Sequence, residues 1–274
     1  MEKFTSSTEK HYFRSNLFEE IINRLKEQGT SLSNVKRKDI AGVDEFHVRG
    51  AQVSKELAES IEIKNTRLLD VGCGIGGPAR MLADEYGCQV TGIDLSQEFI
   101  RTATNLSELI KLSDKTNFVC GDATELPFEN KSFDVVWTQH VQMNVKDKKK
   151  FYSEINRVLT DEGIFLYYDI FKKGNNKVSY PMPWASESEI SFLAPPTEME
   201  NILSDLKFKN FKSVNQTDKG IFFFEKFLKK IDQFGPPKLG LNVLMGTSTK
   251  IKISNLLNGL TEGNLILQSG VFVK

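Results

Sequence analysis

Cysteine is scarce in this sequence. Cys73, Cys88 and Cys120 are the only three in 274 residues. An odd count at these spacings fits neither a disulfide framework nor a zinc site, so no metal is expected and a reducing, cytoplasmic compartment fits best. An excess of charge of one sign is missing too, since 36 Lys and Arg stand against 36 Asp and Glu. Without net positive charge, binding of nucleic acid through bulk electrostatics is not expected. The short runs at Lys146, Lys148, Lys149, Lys150 and at Lys226, Lys229, Lys230 read as solvated helix faces. No apolar stretch approaches the ~18 residues of a membrane span, and residues 1–10 lack the apolar core of a signal peptide. Integral membrane association is therefore not expected. Internal repeats and low-complexity tracts are absent as well.

What is present is an ordinary globular composition, 39% apolar and 26% charged, in a chain long enough to bury a sizeable core. The tail before Tyr12 is expected to fray. Residues 12–28 read as an amphipathic helix, with Phe13, Leu17, Ile21 and Leu25 on one stripe and Gly29 as a stop. Residues 30–50 read as irregular, and 51–61 as helix. From Arg67 strands and helices alternate. The strands are Arg67–Val71, Cys88–Ile93, Asn117–Cys120, Phe133–Thr138 and Ile164–Ile170. The helices lie at about 77–86, 96–111 and 147–159, with Ser96 as an N-cap. This order predicts a mostly parallel sheet with helices on both faces. Residues 171–196 read as a long polar loop rich in proline, of the length that is usually functional or mobile. Thr197 and Glu200 read as a capping box opening a helix to about 206. A strand at 208–216, two helical stretches flanking Gly235-Pro236-Pro237, and a closing strand at Leu265–Val273 follow. The closing strand is expected to pair antiparallel with the one before it.

Four features in register carry the chemistry. The first is Asp70-Val71-Gly72-Cys73-Gly74-Ile75-Gly76-Gly77, where a strand runs into a glycine-rich turn and a helix. Such a turn lets a ligand approach backbone N–H groups closely. Gly72-x-Gly74-x-x-Gly77 alone also fits a dinucleotide fingerprint. Asp70 separates the two readings, because a carboxylate at the turn repels a pyrophosphate but suits the ammonium of a methionine moiety beside a sulfonium. The second feature is Asp94-Leu95, 24 positions after Asp70. Its carboxylate can accept both hydroxyls of a ribose, which says nucleoside without choosing between cofactors. The third is Asp122-Ala123 after the third strand, where an acid and a backbone N–H can read adenine; the plain alternative is a turn cap. The fourth is the apolar strand from Phe133 that ends in Gln139-His140-Val141-Gln142-Met143-Asn144. Ligands of open α/β sheets bind at such strand ends. This places Gln139, His140 and Asn144 around the reacting centre, with His140 either a proton acceptor, a positioning group or a buried core histidine.

Together these motifs resemble the class I S-adenosylmethionine (SAM)-dependent methyltransferases over about residues 60–172. Within them the chain is most similar to the sarcosine/dimethylglycine, phosphoethanolamine, tocopherol and ubiquinone small-molecule enzymes. The resemblance implies a Rossmann-like seven-stranded α/β sheet, mostly parallel with the last strand antiparallel, helices on both faces and an N-terminal helical lid. It implies a lid at 1–60, a methyltransferase domain at 61–274 and a helical insertion at about 218–262. It assigns SAM to Asp70, Gly72, Gly74, Gly76, Asp94, Leu95, Asp122, Ala123 and Gln139, and the acceptor to Tyr12, Phe46, His47, Asn144 and Trp184. Phe46-His47-x-Arg49-Gly50 stands where these enzymes carry a Phe-His-x-x-Gly-Gly-like segment. The Gln139–Asn144 cluster departs from their usual Gln-Asp or Arg-Asp pair, so the acceptor stays open among amines and quinone- or phenol-like carbon or oxygen.

Methyl transfer from a sulfonium needs alignment first, and a base only where the acceptor arrives protonated. His140, Asp169 and Tyr168 are the candidates for that base. The expected partner is a small molecule, and the expected state a monomer or homodimer. A catalytically silent SAM-binding module and an NAD-dependent dehydrogenase are the alternatives.

Overall fold

The structure, a computed structural model, describes residues 11, 12 and 14–274. Phe13 and the tail before His11 lie outside the described residues. Seven strands form one sheet: β1 (Arg67–Val71), β2 (Gln89–Asp94), β3 (Thr116–Cys120), β4 (Phe133–Gln139), β5 (Leu159–Lys172), β6 (Lys209–Asn215) and β7 (Leu265–Val273). Their order is β3-β2-β1-β4-β5-β7-β6. The first five pair in parallel, and β7 runs antiparallel between β5 and β6. The order reverses between β1 and β4, which opens a crevice at their carboxyl ends. β1 lies at the centre, and Leu68, Leu69 and Val71 are wholly buried. Strands covered on both faces by helices read as continuous apolar runs for this reason.

Among the described residues before the sheet are the helices α1 (Leu17–Glu27), α2 (Arg37–Asp44) and α3 (Ala51–Ala58). Leu17, Ile21 and Leu25 of α1 are fully buried, as their spacing requires. The helix begins at Leu17, after Asn16 in a left-handed conformation. α2 corrects the expectation of an irregular stretch at 30–50. Its helix is short, and its stability comes from tertiary contact, which local spacing does not reveal. Asp44, its last residue, pairs with Arg80, and both side chains are almost wholly buried. Arg80 also donates to the carbonyls of Ile75 (2.6 Å) and Ala103 (3.2 Å). The pair thus ties the glycine turn to α2.

Between the strands lie α4 (Gly77–Tyr86), α5 (Gln97–Leu109), α6 (Lys148–Val158) and α7 (Pro196–Asp205). Ser96 caps α5 by accepting from the Phe99 N–H (3.3 Å), as expected. Asp147 caps α6 through the Lys150 N–H (2.9 Å). The Thr197–Glu200 capping box does not form; Pro196 occupies the first turn of α7 without a side-chain cap. Proline's preset φ and missing N–H make it a helix starter in its own right. Between β6 and β7 the chain inserts α8 (Thr217–Phe234), α9 (Asn242–Met245) and α10 (Thr249–Thr261). No helix among the described residues is long and apolar enough to cross a membrane.

Candidate active site

A cavity of about 470 Å³ opens at the carboxyl ends of β1, β2 and β4. That falls within the range of small-ligand sites. On one side the glycine turn forms its floor. Gly74 sits at φ +54, and a Cβ built there meets no protein atom within 4 Å. The backbone at Gly74 therefore borders open space that only glycine leaves free. Gly72 is held instead by close contact with Val141. A Cβ at Gly76 would meet the Phe118 ring at 2.7 Å. Gly76, expected to touch the cofactor, sits at φ +81 and is not among the residues that line the cavity.

Three strand-end acids line this half. Asp70 is buried, and its Oδ2 has no hydrogen-bond partner. Burial, and then the neighbouring charge of Asp94, push its carboxyl up to about 8. Asp94 accepts from the N–H groups of Gly74 (3.0 Å) and Ser96 (2.9 Å), and burial raises it as well. Asp122 accepts from the N–H and hydroxyl of Thr124 (2.7 and 2.8 Å). It thus caps a turn, as the plain reading has it, and still lines the cavity with Leu95 and Ala123.

The end of β4 supplies the next wall. Gln139 Oε1 accepts from the Trp137 indole N–H (2.9 Å) and lies 3.4 Å from the Ser54 hydroxyl. His140, at φ +56, turns its ring onto Tyr168, with centroids 5.0 Å apart. Its Nε2 accepts from the Val48 N–H (3.0 Å), so the ring proton sits on Nδ1. Nδ1 faces the Tyr168 carbonyl without a well-formed hydrogen bond. Burial holds the imidazole well below its usual pKa, and therefore neutral. Asp169, expected as a proton acceptor, does not line the cavity. Its carboxylate accepts from the N–H groups of Val141 (3.2 Å), Gln142 (3.1 Å) and Ile170 (3.0 Å). It braces the turn that carries His140 and Asn144, and burial raises its carboxyl to about 7.

The residues expected around the acceptor converge on the same cavity: Tyr12, Phe46, His47, Asn144 and Trp184 all line it. The Tyr12 hydroxyl donates to Asn144 Oδ1 (2.8 Å), and the Asn144 amide donates to the Trp184 carbonyl (2.9 Å). His11 Nε2 donates to the Pro183 carbonyl (3.0 Å). His47 donates to the Gly50 carbonyl (3.1 Å) and lies 3.2 Å from Glu45, and burial lowers its pKa to about 4. Trp184 is both wall and core, 1% exposed, with its indole donating to Ser191 (2.9 Å). Sequence reasoning missed the contribution of α8 to α10. Phe223, Phe224, Met245, Ile253 and Leu256 complete the wall. The helical stretches were expected, but which face they turn to the cavity depends on how the insertion folds back.

Comparison with known proteins agrees with this arrangement. Residues 69–167 match a methyltransferase-domain family. A glycine/sarcosine/dimethylglycine N-methyltransferase of Actinopolyspora halophila is 30% identical over 188 residues, which is 66% of this chain and 31% of that protein. A probable chloroplastic tocopherol O-methyltransferase of Oryza sativa is 37% identical over 131 residues, 48% of this chain and 35% of that protein. The chain spans about a third of the length of such curated relatives. Among solved structures, Haemonchus contortus phosphoethanolamine N-methyltransferase 2 in complex with SAM superposes with a TM-score of 0.74 at 20% identity, covering 100% of this chain and 61% of that one. The [4+2]-cyclase SpnF superposes with a TM-score of 0.69 at 20% identity, over 99% and 97%. A shared fold alone does not assign the reaction. The family match spans the glycine turn, all three strand-end acids and the end of β4.

Proposed function

We propose that this chain moves the methyl group of SAM onto a small-molecule acceptor bound in the same cavity. The observation that carries this reading is the convergence of Asp70, Asp94 and Asp122 on the open backbone at Gly74. The residues fit that cofactor. Asp70 has an unpartnered oxygen for an ammonium, Asp94 stands at the strand end suited to ribose hydroxyls, and Asp122 with Ala123 suits an adenine edge. When bound, the cofactor supplies an electrophilic methyl carbon, whose bond to sulfur breaks with its electron pair kept by sulfur as the bond to the acceptor forms.

The chain's own contribution is alignment and the exclusion of water. Holding two reactants in near-attack geometry is worth roughly 7–11 kcal/mol. The Tyr12–Asn144–Trp184 chain and the His11–Pro183 bond join the N-terminal segment to the proline-rich loop over the cavity. We assign these segments the role of a lid. His140 acts as a neutral positioning group, since its Nε2 lone pair is engaged by Val48 and its pKa lies well below neutrality. Asp169 acts through the backbone of the 140–144 turn. A reducing compartment is the one we favour, from cysteines whose number and spacing suit no disulfide framework, and a monomer or homodimer is the assembly we favour.

The test is to incubate the full chain with SAM carrying an isotopically labelled methyl and a small-metabolite extract. Protein-dependent transfer of label into a small molecule, lost in Asp94→Ala, is the expected result. Stabilisation by S-adenosylhomocysteine (SAH) with no transfer from any extract would mark a silent binder instead.

A further inference from the structure

The cavity has two chemically different halves. All three strand-end acids and the glycine turn belong to one. The other is built by Phe223 and Phe224 of α8, Met245 of α9, and Ile253 and Leu256 of α10. The last four of these are 4% exposed or less. Not one acidic or basic side chain from the three inserted helices lines the cavity, and Lys252, beside Ile253 in sequence, is not part of the wall. Among the described lining residues the single lysine is Lys146, which is exposed. The lining histidines, His47 and His140, are held neutral by burial.

We propose that the acceptor is an uncharged, largely apolar molecule with one polar group at its reacting end, selected by the wall that α8 to α10 build. This rests on the methyl-transfer reading above. A phosphate or carboxylate brought against that wall would lose its hydration without gaining a counter-charge, and recognition of such anions normally enlists Arg or Lys. A hydrocarbon frame has no such penalty and gains by leaving water. Polar contacts on offer are few. The Tyr12 hydroxyl and the Asn144 amide already bond to one another and to Trp184. Of the lining side chains, two buried polar atoms lack partners, namely Asp70 Oδ2 and His140 Nδ1. Asp70 belongs with the cofactor, and His140 Nδ1 faces the Tyr168 carbonyl, so neither gives the acceptor a charged partner.

The probe is N-phenyl-1-naphthylamine, a neutral arylamine that fluoresces in apolar surroundings, titrated into the full chain saturated with SAH. Saturable binding is expected, and phosphoethanolamine should neither displace the probe nor add to the melting temperature. Leu256→Arg should weaken probe binding at least tenfold, on the order of one buried, unpaired charge, while the SAH-induced rise in melting temperature persists. Phe223→Ala removes a half-buried ring, is a milder change to the fold, and should weaken the probe several-fold. Stabilisation by SAH with no saturable probe binding, unchanged probe affinity in both variants, or stabilisation by phosphoethanolamine would each overturn the proposal. Absence of any SAH effect would instead overturn the methyl-transfer reading, and the acceptor assignment with it.

Discussion

Gly74 and Gly263 form a matched pair that separates backbone strain from cofactor contact. Both sit at positive φ, +54 and +72, and a Cβ at either meets no protein atom within 4 Å. Gly74 borders the cavity; Gly263 follows α10 and does not. Replacing either by alanine places a Cβ in a left-handed conformation, at a cost of roughly 1–2 kcal/mol. For a chain of this size that lowers the melting temperature by roughly 2–8 °C, similarly in both variants. Ligand stabilisation separates them. SAH at about a hundred times its dissociation constant adds about 2.7 kcal/mol to the wild type and to Gly263→Ala. In Gly74→Ala the new methyl occupies space the cofactor's backbone-facing atoms require. A 30-fold loss of affinity would cut the gain to about 0.9 kcal/mol at the same concentration. Differential scanning fluorimetry of the three proteins, with and without SAH, reads both quantities. A full SAH response in Gly74→Ala would refute the cradle assigned to this turn.

Three further outcomes are expected. Asp70 titrates near 8 in the fold against 3.8 as a free carboxyl. The folded chain thus holds a proton that the unfolded chain releases, and stability from this group is present at low pH and lost as pH rises towards 8. Asp70→Asn should flatten the fall in melting temperature between about pH 5 and 8, only in part because Glu45 and Asp169 are raised as well; an unchanged slope would contradict the assignment. His140→Ala should cost roughly 1–3 kcal/mol through the stranded Val48 N–H and lower kcat, yet leave the shape of the pH–rate profile intact. Loss of an acidic limb in that variant would make His140 the proton acceptor after all. Tyr12→Phe removes one hydrogen bond to Asn144, worth about 0.5–1.5 kcal/mol. It should raise KM for the acceptor with SAH affinity unchanged, and a weaker SAH response would place Tyr12 with the cofactor instead.

Much of the fold is legible in the sequence. The strands Arg67–Val71 and Leu265–Val273 stand where they were expected, because most of their residues are apolar and buried, as a strand in a covered sheet requires. The strand-end acids converge because parallel strands bring their carboxyl ends to one edge. What stayed hidden depends on contacts distant in sequence. The helix Arg37–Asp44 is held by the buried pair between Asp44 and Arg80, 36 positions apart. Asp169 could be recognised as polar and near the site, but its three backbone N–H partners come from turn geometry that spacing does not encode. Gly76 shares the motif with Gly72 and Gly74, and only the course of the backbone shows that it faces Phe118.

The central claim is that the cavity at the carboxyl ends of β1, β2 and β4 takes SAM and not a dinucleotide. Isothermal titration calorimetry of the full chain with SAH, and separately with NAD, tests it directly. One SAH per chain, abolished or strongly weakened in Asp94→Ala, with no heat from NAD, is the predicted result. Saturable NAD binding with no response to SAH would contradict it.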